Sequence, residues 1–136
     1  MKKKILGFLL VALAMFSSCS YSNKIMPAPQ WRIVQVRVIS CDNMYGVDFE
    51  QNQIDSLCKL ANKINFDSTY NNLLEIEYLI EITYRTIFWN SCQKLFISNG
   101  YIFNEYGDMT SVDQAELVNY IEQTYHQNFT KLKEEL

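Results

Sequence analysis

The chain has 136 residues, with 12 Lys and Arg against 15 Asp and Glu, a net charge of −3 and 49% hydrophobic residues. Beyond a short leader, that length suits one domain with one core, and the composition is that of a packed globule. An acidic chain without a basic stripe argues against nucleic-acid binding and against simple adsorption on anionic lipid.

The leader comes first. Met1-Lys2-Lys3-Lys4 precedes an apolar run from Ile5 to Phe16. As a helix this run is roughly 18 Å long, short of the ~30 Å hydrocarbon core. A basic start, a short apolar stretch and small residues before Cys19 have the pattern of a secretory signal. Phe16-Ser17-Ser18-Cys19 resembles the lipobox of bacterial lipoproteins, with Phe16 where that class usually has Leu. The resemblance implies cleavage after residue 18, lipidation of Cys19 with palmitate-type chains, and a mature protein held to a membrane by that lipid. An ordinary signal peptide and an uncleaved anchor are the alternatives. Ser20 stands where retained inner-membrane lipoproteins carry Asp. The destination implied is therefore the outer membrane, as in outer-membrane lipoproteins of anaerobic Gram-negative bacteria. Ser20–Lys24 lacks the acidic residues some of those bacteria use for surface export, which favours the periplasmic side and leaves surface exposure open. Removing residues 1–18 takes three lysines and no acid, leaving a charge of −6.

Residues 19–30, with Pro27 and Pro29, read as the lipidated cysteine and a flexible tether, and residues 31–136 as a single α+β domain. Trp31–Ser40 is a strand with Val34, Val36 and Val38 on one face. Asp42–Phe49 is a loop. Glu50–Asn65 is a helix with Ile54, Leu57, Cys58, Ala61 and Ile64 as its apolar stripe. After a loop at Phe66–Asn72, Leu74–Phe88 alternates as one long strand, with Ile76, Tyr78, Ile80, Ile82, Tyr84 and Phe88 on one face. Asn99-Gly100 predicts a two-residue hairpin turn that sets Ser98 opposite Tyr101, Ile97 opposite Ile102, Phe96 opposite Phe103 and Lys94 opposite Glu105. Ser111-x-x-Gln114 reads as a capping box for a last helix whose stripe is Leu117, Val118, Ile121 and Tyr125. The expected fold is a two-layer α+β sandwich, an antiparallel sheet of about four strands covered by two helices in the order β-α-β-β-β-α.

Cys41, Cys58 and Cys92 remain beside Cys19, so at most one internal disulfide is available. Cys58 lies on the helix stripe, and a Cys41–Cys92 bond is the expected pairing. No metal-ligand spacing, phosphate loop, GxSxG or HExxH occurs, so no metal or cofactor is expected. His126, the only histidine, would need Cys92 or Cys58 within hydrogen-bond reach to act as a base. Glu75, Glu77 and Glu81 share a strand face where paired-carboxylate chemistry is conceivable, but Thr83 and Arg85 continue that face and a solvated surface explains them all. Asn128-Phe129-Thr130 fits a glycosylation sequon. Asp55-Ser56-Leu57 and Asp67-Ser68-Thr69 resemble a bacterial O-glycosylation motif.

Tyr45, Phe49, Tyr70, Trp89, Tyr101 and Tyr106 fall at loops or hairpin ends as candidate binding aromatics. The expectation is a non-enzymatic, lipid-anchored accessory module, of inhibitor or immunity type, binding another envelope or secreted protein and no nucleic acid. A small Cys/His enzyme and a ligand carrier are the alternatives.

Overall fold

The computed structural model describes residues 23–70 and 75–136; Cys19 and the leader lie outside them. The fold is α+β. One antiparallel seven-stranded sheet comprises β1 (Ile33–Ser40), β2 (Gly46–Asp48), β3 (Ser68–Thr69), β4 (Tyr78–Arg85), β5 (Asn90–Ser98), β6 (Tyr101–Asn104) and β7 (Asp108–Met109), in spatial order β2-β1-β4-β5-β6-β7-β3. Two α-helices accompany it among the described residues, α1 (Gln51–Ala61) and α2 (Ala115–Glu135), with a 3-10 turn at Gln30–Arg32.

Four strands and the order β-α-β-β-β-α were expected; β2, β3 and β7 are the additions. These are two- and three-residue segments at or near the sheet margins, too short to alternate visibly. The long strand expected over Leu74–Phe88 is instead β4 alone, closing at a turn in which the Thr86 N–H donates to the Trp89 carbonyl at 2.7 Å. β5 then starts at Asn90, because polar Asn90–Gln93 is recruited by pairing with Arg85–Ile82 and not by any pattern of its own.

One face of the sheet is apolar. Register aligns Val36 with Ile82, Val38 with Ile80, Ile80 with Leu95 and Ile97 with Ile102, all at most 3% exposed. Leu57, Cys58, Leu117, Ile121 and Tyr125 of the helices join them in one core. At about 1.5–3 kcal/mol per large side chain removed from water, this layer contact dominates the fold's stabilisation. A register shift at Val34 corrects the expected face of β1. Ile33 pairs with Tyr84 and Gln35 with Thr83, so Ile33 turns inward and Val34 is 41% exposed.

The Asn99-Gly100 hairpin forms in the expected register from Ser98–Tyr101 to Phe96–Phe103, with φ of 51° and 84° at the two turn residues. Lys94 meets Glu105 through its backbone N–H, which donates to the carboxylate at 3.3 Å. α1 carries a capping box from Glu50 and Gln53, and α2 begins without the expected one. Ser111 is occupied elsewhere: its N–H and hydroxyl both donate to Asp67, each at 2.7 Å.

The segment expected as a tether, residues 19–30, is in part packed on the domain. Ile25 and Met26 are core residues, 1% and 6% exposed. Lys24 bridges Asn65, and the Phe66 N–H donates to the Asn23 carbonyl at 2.6 Å. Irregular backbone has no period to read, so burial here was invisible in the sequence.

Candidate functional site

The expected aromatics separate sharply once placed. Phe49 is 6% exposed and belongs to the core. Tyr70 packs edge-on against Phe103 at 5.2 Å and donates its hydroxyl to the Asn104 carbonyl at 3.2 Å. Tyr45 packs on Phe129 at 5.1 Å, while its carbonyl accepts the buried Tyr125 hydroxyl at 2.9 Å. Tyr101 is half-buried beside Ser98. Only Trp89 and Tyr106 of the six stand well clear, at 64% and 77% exposure.

Trp89 has company that the sequence did not indicate. The turn between β4 and β5 places Ile87 and Phe88 at its two corners, 73% and 85% exposed. Turn corners ordinarily take Gly, Asn, Asp or Pro, because local geometry and water favour them. Here two large apolar residues occupy positions that cannot be buried within the domain. The turn is held by its flanks, where the Thr86 hydroxyl donates to the Trp89 carbonyl at 2.5 Å and accepts the Trp89 N–H at 3.3 Å. Phe88 and Trp89 stack at 6.2 Å with 28° between planes.

The segment before β1 comes alongside this turn. Arg32 donates through Nε to the Arg85 carbonyl at 2.7 Å and lies 5.9 Å over the Tyr84 ring. Its neighbour Trp31 is 82% exposed and lines a shallow open cleft with Gln30, Ile33, Gln51, Asp55 and Arg85. One end of the sheet therefore presents Trp31, Ile87, Phe88 and Trp89 to solvent with two guanidinium groups among them. Alternation had placed Phe88 on the core stripe and Trp31 at a strand start. The available signal was Thr86-x-x-Trp89 interrupting the alternation, with no polar residue at the turn centre.

No known protein family, curated protein or solved structure matches the chain.

Cys41 and Cys92 are free thiols, which corrects the expected disulfide. The Cys41 N–H donates to the Glu77 carbonyl while Cys92 pairs with Thr83, six positions further along the β4 side of the sheet, roughly 20 Å. A disulfide needs Cα atoms within about 7 Å. Burial pushes the Cys58 thiol up to about 11, with Asp55 adding to the shift, and this disfavours the thiolate. Cys92 shares the sheet face of Thr83, opposite the helix layer that carries His126, so no Cys92–His126 dyad is assembled.

Glu75 precedes β4, the Glu77 carboxylate accepts the Asn99 N–H at 2.8 Å, and Glu81 lies between Arg37 and Lys94 in register. The three acids serve a turn and a solvated face. The sequon residue Asn128 is buried and committed, donating to the Asp48 carbonyl at 3.0 Å and exchanging hydrogen bonds with Gln53. Ser56 lies in α1, its hydroxyl donating to the Asn52 carbonyl, and Ser68 and Thr69 form β3.

Proposed function

We propose that this protein is a non-enzymatic binding module of the cell envelope, held to the outer membrane by lipid on Cys19. It docks another envelope or secreted protein through the apolar end of its sheet, as an inhibitor or immunity-type lipoprotein would. The observation that carries the reading is the Ile87-Phe88 pair at the corners of the β4–β5 turn, flanked by Trp31 and Trp89. A clustered aromatic surface with arginines at its margin has the composition of a protein-binding hot spot.

The docked start of the domain adds a geometric condition. With Asn23 already hydrogen-bonded to Phe66, a lipid on Cys19 would lie four residues before the first described contact, a chain length of at most roughly 14 Å. Docking would then take place close to the membrane surface, within reach of an envelope protein or of a secreted one that diffuses to it. No helix among the described residues is long and apolar enough to cross it.

The test is cross-linking in the native envelope with wild type and the double variant Phe88→Ser/Trp89→Ser. A partner captured by wild type and lost by the variant supports the reading, given equal expression and unfolding temperature. Equal capture by both would remove the tip from the function. Mass spectrometry of the native amino terminus tests the anchor separately: an unacylated terminus would end the envelope placement.

A further inference from the structure

The strand that leaves the apolar tip is only half paired on one flank. β5 has nine residues, but β6 opposes only Leu95–Ser98. Among the described residues, nothing forms a strand beside Asn90–Lys94 on that side. Register fixes which groups point there. In a two-residue hairpin the residues flanking the turn exchange both backbone bonds, and hydrogen-bonding positions then recur at every second residue. Counting from Ser98, the residues aimed away from β4 are Phe96, Lys94, Cys92 and Asn90. Two contacts confirm the phase: the Lys94 N–H reaches Glu105 Oε1 on that flank, and the Ile97 carbonyl accepts Glu77 on the β4 side.

Glu105 therefore caps one outward donor, while the N–H and C=O groups of Asn90 and Cys92 stand open on exposed residues. The two terminal strands of the sheet are short, three residues in β2 and two in β3, which is how folds ordinarily limit edge pairing. The open stretch is bounded by Phe88 and Trp89 at one end and by Tyr106, following Glu105, at the other. Donors and acceptors at strand spacing accept only an extended backbone. The edge thus names the conformation of its occupant.

We infer that the partner supplies an extended protein segment of four or five residues, which adds as a strand along Asn90–Gln93 and rests an apolar side chain on Phe88 and Trp89. This rests on the tip being a protein-docking surface, and it specifies how the docking is made. The guanidinium groups of Arg32 and Arg85 beside the tip disfavour a basic segment. Backbone pairing supplies the affinity and the tip selects the side chain.

A display library of random nine-residue peptides, panned against the purified protein, tests this. Enriched peptides should carry apolar residues at alternate positions and slow hydrogen exchange at the Asn90 and Cys92 amides. They should bind Cys92→Ala as they bind wild type and lose at least about tenfold in affinity for Cys92→Pro, which deletes an outward donor and no β4–β5 bond. Should Cys92→Pro disturb the fold, peptides N-methylated at alternate positions give the same reading, one phase binding and the other not. Peptides that bind Cys92→Pro fully but fail on Phe88→Ser would overturn strand addition and leave the tip as docking surface. No enrichment would also overturn it, as would protection of the same amides by self-association without peptide.

Discussion

Truncating Ile25 to Ala tests whether the segment before the first strand belongs to the domain. Ile25 is 1% exposed, and its N–H approaches the Ile64 carbonyl at 3.5 Å. The substitution removes three carbons, about 2.4 kcal/mol of transfer free energy at ~0.8 kcal/mol each. The cavity left behind raises the cost to the 2–5 kcal/mol range seen for buried Ile→Ala changes, and about 3 kcal/mol is the expected value. For a domain of this size that lowers Tm by about 10–15 °C. Urea unfolding and calorimetry measure it, with Trp31→Ala as control. Trp31 is 82% exposed and its loss should change stability by no more than about 0.5 kcal/mol. An Ile25→Ala protein as stable as the control would show that the segment is a free tether, and the short chain length deduced from its docking would be wrong.

Three other predictions are independent of that one. Gly100→Ala should cost more than 1 kcal/mol and be visible in Tm, because Gly100 has φ +84° and a Cβ there meets Asp113 Cβ at 3.2 Å. Tyr125→Phe should lose about 1–1.5 kcal/mol in urea unfolding, since its buried hydroxyl donates to the Tyr45 carbonyl and lies 3.2 Å from Asn43 Oδ1. The Cys58 thiol, raised to about 11 by burial, keeps its proton better in the folded state than in the unfolded one. Its contribution is therefore fully present below about pH 9 and declines as pH rises toward 11, on the order of 2–3 kcal/mol in all. Cys58→Ala should flatten that alkaline decline in a pH series of unfolding midpoints, and an unchanged slope would refute the assignment.

Where chain-local physics decided the structure, the sequence was readable. Asn99-Gly100 fixed a register because both turn positions need left-handed backbone, and the α1 stripe of Ile54, Leu57, Cys58 and Ala61 needed only its period. The core face of β4 was likewise evident in Tyr78, Ile80 and Ile82. What failed depended on partners distant in sequence. Asn90–Gln93 is a strand because β4 offers it bonds, Ser111 serves Asp67 and not its own helix, and Ile25 is buried by elements that come later in the chain. For the candidate site, Trp89 was recognisable as an aromatic outside any stripe. Phe88 was not, since strict alternation assigned it to the core, and only the turn at Thr86–Trp89 turns it outward.

The seating of Asn23–Met26 also has a mechanical meaning. A pull arriving through the N-terminal side loads first the Lys24–Asn65 bridge and the Asn23–Phe66 bond, then the side chains of Ile25 and Met26. Beneath them lies the strand pairing shared by β1 and β4. Tension at this end is thus carried into the interior of the fold, and yielding there would begin with a short peel of four residues before the sheet itself is strained.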